Sequence, residues 1–287
     1  MIAENTGYLK YSKLSFATSR EVTRHYSTSF YSATQLFPSP VREAIQGIYG
    51  FVRLADEIVD SFHDCDQKNL FDRFEEDYNF ALEKGISSNP VIHSFLLTVH
   101  RYGIDDAYVR AFLASMRADL EKKTYTSRLE ANQYIYGSAD VVGLMCLRVV
   151  CDHDEQLFGE LATPAMRLGS AFQKVNFLRD LREDVLGLGR IYFPGFSMDR
   201  FDEQTKLELV QEIDADFASA LKGIRRLPDS SRLAVHTAYC YYVRLLGKIR
   251  DTPACELVTR RIRIPNAEKF RLLSGAVIKH KLHMQIV

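Results

Sequence analysis

The chain has 287 residues, of which 46% are hydrophobic and 26% charged, the composition of a globular protein rather than a disordered or fibrous one. Its 37 Lys and Arg residues balance its 37 Asp and Glu residues, so no basic field points to a nucleic-acid partner. The 5 cysteines form no Cys-x-x-Cys pair, which argues against a zinc site or a disulfide scaffold and indicates a reducing compartment.

Local signals predict helices along almost the whole chain, and almost no stretch alternates as a β-strand does. Helix boundaries are predicted at polar, glycine and proline motifs: Thr18 with Glu21, Phe37 with Pro38, Ser39 with Pro40, Asp64 to Asp66, Gly85, Asn89 with Pro90, Gly103, and Thr163 with Pro164. A glycine-rich loop follows at 187–195, and three more helices are predicted at about 203–226, 230–250 and 265–283. The sequence therefore predicts one all-α domain over residues 1–287, with its core at about 18–283.

The chain is expected to be cytoplasmic. Its first residues, MIAENTGYLKYSK, lack the basic-then-apolar pattern of a signal peptide. Its longest apolar stretch, Ala139 to Cys151, contains Arg148 and is too short to cross a bilayer. Membrane contact is expected at most at the periphery of the protein.

A polar row runs through the segment QKVNFLRDLRED at 173–184. On an α-helix of about 100° per residue, Gln173, Asn176, Asp180 and Asp184 fall within roughly 60° of one another. Two carboxylates at i and i+4 repel each other, and a hard divalent cation removes that penalty. The alternative is a solvated surface on which Arg179 pairs with a glutamate one turn later.

The same pattern occurs at 49–60, where Tyr49, Arg53, Asp56 and Asp60 share one side of a predicted helix. An apolar stripe lies beside this row, so the aspartates border the buried side. Here too the alternative is an ordinary surface ion pair of the arginine. If the two helices face each other across a bundle, four carboxylates meet there and could hold several Mg²⁺ ions and, through them, diphosphate groups.

These motifs resemble the squalene/phytoene synthase family, in the family's order and spacing. The matching pieces are Ser27-Thr28-Ser29-Phe30, residues 49–60, Tyr136 to Gly143, Gln173 to Pro194, Tyr242 and Arg261. The signature N-x-x-R-D-x-x-E-D followed by R-x-Y-x-P is specific to the family, and its form here is similar to that of bacterial phytoene synthases. The resemblance implies the all-α isoprenoid (terpenoid) synthase fold and dependence on Mg²⁺, with Mn²⁺ as an alternative. The D-D-x-x-D motif of other enzymes with that fold is absent.

The resemblance also implies roles for single residues. The metal ligands would be Asp56, Asp60, Asn176, Asp180 and Asp184, with Gln173 completing the second metal site. The diphosphate contacts would be Arg53, Arg179, Arg261, Ser27, Ser29 and Tyr26. The walls of an apolar cavity would be Phe30, Tyr49, Tyr136, Tyr242, Gly137, Ala139, Gly143 and Leu144, and Tyr136 and Tyr242 would also hydrogen-bond near the leaving diphosphate. Asp140 departs from relatives that carry a small residue there. Taken singly, the arginines could be surface ion pairs, the serines helix caps and the aromatic residues core packing.

The implied reaction is the head-to-head condensation of two geranylgeranyl diphosphates to phytoene, through a cyclopropylcarbinyl diphosphate (prephytoene diphosphate), in carotenoid biosynthesis. No NADPH is expected, and other carotenoid enzymes are the expected protein partners. One alternative is a farnesyl diphosphate-using dehydrosqualene or squalene synthase. The other is a non-catalytic binding or assembly protein, for which loss of the aspartates would be the sign.

Overall fold

A computed structural model of the chain describes residues 6–198 and 201–281. In these ranges the chain is almost entirely helical, with a single parallel bridge between Thr124 and Ile191. The α-helices are α1 Thr6–Tyr26, α2 Thr28–Thr34, α3 Ser39–Ser61, α4 Gln67–Lys84, α5 Pro90–Tyr102, α6 Asp106–Glu121, α7 Arg128–Ile135, α8 Val141–Cys151, α9 Glu155–Arg179, α10 Glu203–Ile224, α11 Asp229–Asp251, α12 Ala254–Leu257 and α13 Asn266–Lys281. Two π-helical turns, Tyr136–Asp140 and Glu183–Gly187, interrupt this series.

Helix α3 lies at the centre of the larger core. Its apolar residues recur at helical spacing, so Ile48, Phe51, Ala55 and Val59 are all buried on one side. The Phe51 ring stacks on Phe95 of α5 with a centroid distance of 4.1 Å. This packing fixes the direction of the polar row that runs along the same helix.

Helix α9 forms a second core with α10 and α11. Its buried residues include Ala171, Val175 and Leu178. A cavity of about 610 Å³ lies between the two cores, and residues from α2, α3, α8, α9, α10 and α11 line it. The helices that carry the two polar rows therefore lie on opposite sides of one cavity.

Several predicted helix boundaries are confirmed because their signals act locally. Asp66 caps α4 by accepting a hydrogen bond from a backbone amide, and Asn89 does the same for α5. Gly85 and Gly103 end these two helices with φ of 73° and 61°, a conformation that glycine adopts most easily. The helices predicted at about 203–226 and 230–250 correspond to α10 and α11.

Two predicted boundaries are wrong. Thr18 does not open a helix; it lies inside α1, and its hydroxyl donates to the Leu14 carbonyl at 3.0 Å. Pro164 does not interrupt the chain before the second polar row, because α9 runs through it without a break. A Cβ atom on Gly223 of α10 would come within 2.3 Å of the Pro164 ring, so close packing between the two helices accommodates the proline.

The helical stretch Arg128–Cys151 is longer than the apolar segment expected from the sequence. It comprises α7, the first π-helical turn and α8, and its 24 residues could cross a membrane by length and composition alone. However, 61% of its most apolar window is buried inside the protein, as in a core helix. Within this protein it forms a wall of the cavity.

The crossing of α9 and the first π-helical turn is tight, which gives a stability prediction. A Cβ on Gly169 would lie 2.5 Å from the Ala139 carbonyl oxygen, whereas one on Gly159 of the same helix would meet nothing within 4 Å. We expect Gly169→Ala to lower the free energy of unfolding by about 1–3 kcal/mol through overpacking. Gly159→Ala, the matched control, should raise it by up to about 1 kcal/mol. Urea denaturation measures both, and equal effects of the two substitutions would contradict this packing.

Candidate active site

The first aspartate motif lies on α3, in the wall of the cavity. The guanidinium of Arg53 forms ion pairs with Asp56 and Glu57 and lies over the Tyr26 ring, 4.4 Å from its centroid. Arg53, Asp56 and Tyr26 all line the cavity. The arginine makes the ion pairs that a surface interpretation expects, but it makes them at the edge of a pocket.

The second motif lies opposite, at the end of α9. Gln173, Asn176 and Arg179 line the cavity. The Asp180 carboxylate accepts from Arg179 Nε at 2.9 Å and from Arg261 Nε at 2.7 Å. Asp180 thus lies between two guanidinium groups, and Arg179 makes this contact rather than the pair with Glu183 that a solvated surface would favour.

The predicted continuous helix over 173–184 is partly wrong. Helix α9 ends at Arg179, and Asp180 has φ of −102° and ψ of 10°. The Asp184 amide still donates to the Asp180 carbonyl at 2.9 Å, so a helical turn leads into the second π-helical turn, Glu183–Gly187. Asp184 therefore remains beside Asp180 despite the break.

The two aspartate pairs are close enough to influence each other's ionisation. Burial, and then the negative charges of Asp180 and Asp60, raise the pKa of Asp184 to about 8. Burial, and then Asp60, raise the pKa of Asp56 to about 7. Carboxylates from α3 and from the end of α9 thus form one region of like charge.

Arg190, in the R-x-Y-x-P motif, joins the two pairs, and its role was not predicted. It is 2% exposed; its guanidinium forms an ion pair with Asp60 and donates to the Val59 carbonyl at 3.0 Å. Its own amide donates to the Asp184 carbonyl at 2.7 Å. One residue therefore holds α3 and the second π-helical turn together, and the motif itself was the available sequence signal.

The loop that carries Arg190 is anchored by aromatic packing. The Tyr192 ring is buried and stacks on Phe177 of α9 at 4.1 Å and on Tyr134 of α7 at 5.0 Å. The Ile191 amide donates to the Lys123 carbonyl at 2.8 Å, and the Ile191 carbonyl accepts from the Tyr125 amide at 3.0 Å. The neighbouring Phe193 adds to this anchor, because its ring lies edge-on to Phe177.

Tyr136 does not lie where the sequence placed it. It is 42% exposed and outside the cavity wall, whereas Tyr134 lines the cavity. The Tyr134 hydroxyl donates to the buried Asp119 carboxylate at 2.6 Å. Burial raises the pKa of Asp119 to about 7, although this hydrogen bond and Arg190 oppose the shift. No sequence signal marked Asp119, because its contacts come from α7 and from the distant Arg190 loop.

The first π-helical turn, Tyr136–Asp140, also determines where the other residues of the motif at 136–143 lie. Ala139 and Gly143 line the cavity as predicted, but Leu144 is buried in the larger core instead. A Cβ on Gly137 would lie 2.0 Å from Ser115 Oγ, so this glycine allows close helix contact. Asp140 faces away from the cavity and accepts from the Ser170 hydroxyl at 2.6 Å, which leaves the apolar wall intact.

Aromatic side chains line the cavity near the polar rows. The Phe30 ring stacks on Tyr49 at 4.9 Å, and burial raises the pKa of Tyr49 to about 12. The Tyr242 ring stacks on Phe172 at 3.9 Å, and its hydroxyl donates to Asn176 Oδ1 at 3.3 Å. Both tyrosines are therefore uncharged walls whose hydroxyls lie close to the polar rows.

The two predicted serines differ in position. Ser27 lines the cavity and also caps α2, because its Oγ accepts from the Phe30 amide at 3.3 Å. Ser29 is half-buried and lies outside the cavity wall. Of the two serines, Ser27 is therefore the one that the cavity wall presents to a diphosphate.

The donor set suits Mg²⁺, although the protein alone does not enclose an ion. In the described ranges no three His, Cys, Asp or Glu side chains come together as one metal-binding group. Mg²⁺ characteristically takes one or two carboxylates and fills its other positions with water and substrate phosphates. Asp56, Asp60, Asp180 and Asp184, with the Asn176 amide oxygen, offer hard oxygen donors whose mutual repulsion a cation would relieve.

Comparisons with known proteins agree with this geometry. The family model described as squalene/phytoene synthase matches residues 23–268. The phytoene synthase of Arthrospira platensis is 28% identical over 295 residues, which span 93% of this chain and 94% of that protein. The 15-cis-phytoene synthase of Synechocystis sp. is 30% identical over a stretch that spans 91% of this chain and 83% of that protein.

Solved structures show the same fold. A dehydrosqualene synthase in complex with a ligand superimposes with a TM-score of 0.82 at 22% identity, over 96% of this chain and 99% of that one. The squalene synthase HpnC from Alicyclobacillus acidocaldarius superimposes with a TM-score of 0.73 at 20% identity, over 88% of this chain and 97% of that one. The chain therefore belongs to the squalene/phytoene synthase family of prenyltransferases and has the isoprenoid synthase fold that its motifs predicted.

Proposed function

We propose that this prenyltransferase condenses two geranylgeranyl diphosphates head to head into phytoene, in a Mg²⁺-dependent reaction. The observation that carries the proposal is the pair of aspartate motifs, coupled through Asp60 and Asp184, beside a mainly apolar cavity that Arg53, Asp56, Arg179 and Arg261 line. This arrangement provides a charged end for diphosphates and an apolar space for prenyl chains. The names of the curated relatives support phytoene as the product.

The charged end favours departure of diphosphate. Planar guanidinium groups suit diphosphate oxygens, and Arg53, Arg179 and Arg261 already contact the aspartates there. Mg²⁺, held by Asp56, Asp60, Asp180, Asp184 and Asn176 when bound, would neutralise the charge that develops on the leaving group. The ion-pair contacts of the arginines must then exchange for contacts with diphosphate.

The cavity protects the cationic stage of the reaction. After diphosphate leaves, the 2,3-double bond of the second molecule attacks the allylic cation, and loss of one proton closes a cyclopropane. The second diphosphate then leaves, the ring rearranges, and loss of another proton gives the central double bond. An apolar wall excludes water that would quench the cation, and the faces of Tyr49 and Tyr242 can stabilise positive charge.

A farnesyl diphosphate-using activity is the second candidate, favoured by the fold match with a dehydrosqualene synthase. Dehydrosqualene formation differs from the first candidate in chain length alone, and squalene formation needs a reductant besides, so the charged end serves all of them. We propose no requirement for NADPH in the first candidate, because phytoene formation involves no reduction. A non-catalytic role is disfavoured, since all four aspartates are present and Asp184 is close enough to Asp180 and Asp60 for their charges to raise its pKa.

The product assay decides between these candidates. Purified protein with Mg²⁺ and without NADPH is given geranylgeranyl or farnesyl diphosphate, and the hydrocarbons are identified by mass spectrometry. We expect a C40 hydrocarbon from the C20 substrate, and we expect Asp180→Asn to lower its rate by about a hundredfold or more through loss of charge at the diphosphate end. Asp77→Asn is the matched control and should retain full activity, because this half-buried aspartate of α4 pairs with Arg73 and does not line the cavity.

A C30 product from farnesyl diphosphate alone would replace the first candidate with the second. Absence of product from either substrate, with Mg²⁺ and diphosphate still bound, would reject both and favour a binding protein. Full activity of Asp180→Asn would show that the assigned charged end is wrong.

The raised carboxyl pKa values predict how pH affects the stability of the metal-free protein. Asp56 and Asp184 have folded-state pKa values of about 7 and 8, against an ordinary value of 3.8. Between the ordinary pKa and the folded-state pKa, the folded protein keeps these carboxyl groups protonated whereas the unfolded chain has released the protons. The stability that these groups contribute is therefore present at low pH and is lost as the pH rises through the folded-state pKa. We expect wild type to lose about 2 kcal/mol more than Asp184→Asn from about pH 5 to about pH 9.

Denaturant unfolding at a series of pH values, in the presence of a chelator, measures this difference. Asp77→Asn should follow wild type at every pH. Parallel curves for wild type and Asp184→Asn would contradict the raised pKa of Asp184, which burial causes first and the charges of Asp180 and Asp60 second.

A further inference from the structure

The segment at residues 260–271 concentrates positive charge in a chain whose net charge is zero. It contains Arg260, Arg261, Arg263, Lys269 and Arg271, and Glu268 is its one acidic residue. The Glu268 side chain is 12% exposed and lies beneath basic side chains, at 3.1 Å from Lys248 Nζ and 3.9 Å from an Arg271 nitrogen. The outward surface of the segment is therefore basic.

The segment borders the charged end of the cavity. Arg261 lines the cavity and binds Asp180. Further along, α13 packs on α11 and α2, and Lys269 Nζ lies 3.4 Å from the hydroxyl oxygen of Thr28. Thr28 follows Ser27, itself a cavity-lining residue, so the basic surface lies beside the part of the cavity that Ser27 and Arg261 line.

An aromatic side chain stands out from this basic surface. Phe270 is 72% exposed, between Lys269 and Arg271, and the Arg271 side chain is 79% exposed. A single exposed apolar ring is common on protein surfaces and by itself marks nothing. Aromatic rings flanked by Lys and Arg are, however, the groups that insert at the interface of an anionic bilayer.

We infer that residues 260–271 form a docking surface for an anionic lipid bilayer, with Phe270 inserted among the headgroups and Arg263, Lys269 and Arg271 against their negative charges. The inference rests on the proposed function for its purpose, because prenyl diphosphates carry lipid tails and the hydrocarbon product partitions into membranes. Docking there would bring the Ser27 and Arg261 side of the cavity close to the membrane surface. Each basic residue near such a surface contributes about 1 kcal/mol of binding free energy, so several of them together give stable binding.

Vesicle sedimentation of the full-length protein tests this surface. The probes are vesicles of phosphatidylcholine alone and vesicles with about one-third phosphatidylglycerol, which supplies the negative surface potential. We expect wild type to bind the anionic vesicles, with binding weakened by high salt. The double variant Phe270→Ser, Arg271→Glu should bind them at least about tenfold more weakly, because it loses the inserted ring and reverses one charge.

The matched control is Leu129→Ser, Arg128→Glu on α7, where the leucine is 69% exposed and the arginine side chain 85% exposed. It should bind like wild type. Equal binding to neutral and anionic vesicles, no binding by wild type, or an equal loss in the α7 variant would overturn the inference.

Hydrocarbon formation in detergent, measured in parallel, separates this inference from the proposed function. Phe270 and Arg271 lie outside the catalytic machinery, so their double variant should match wild type there. Loss of vesicle binding with retained turnover supports the docking surface, whereas vesicle binding by a wild type that makes no product leaves docking intact and rejects the proposed function.

Discussion

Repulsion among half-buried carboxylates is the constraint on which the rest of this structure depends. Asp60, one turn from Asp56 on α3, approaches Asp184 beyond α9, and burial makes the shared negative charge costly. Arginines offset this cost. Arg53 pairs with Asp56, and Arg190 pairs with Asp60. Arg179 and Arg261 both pair with Asp180. The protein thus keeps a region of charge in place that a cation and diphosphate could complete.

Packing maintains this arrangement from both sides. The larger core holds α3 through Phe51, and the second core holds α9 through Val175 and Leu178. Between them the aromatic stack of Tyr134, Tyr192 and Phe177 fixes the loop that brings Arg190 to Asp60. Apolar burial therefore supplies the rigidity that the charged groups, by themselves, would oppose.

The features predicted correctly from sequence are those that depend on few neighbours. Caps such as Asn89 act on the next helical turn, and the i,i+4 spacing of Asp56 and Asp60 sets their common side on a helix. The errors come from tertiary contacts. Pro164 stays inside α9 because Gly223 leaves room for it. Tyr136 faces outward because it begins a π-helical turn that no local sequence pattern predicted. Arg190 reaches Asp60 across 130 positions, a distance that spacing rules do not cover.

Metal binding measured by electron paramagnetic resonance tests most directly whether the two aspartate pairs form one site. Free Mn²⁺ is titrated with wild type, Asp60→Asn, Asp184→Asn and the double variant, with and without inorganic diphosphate. A shared site predicts that diphosphate increases Mn²⁺ binding to wild type, that each single variant abolishes most of this increase, and that the double variant is little worse than either. Independent, additive losses, or Mn²⁺ binding that diphosphate leaves unchanged, would contradict the shared site.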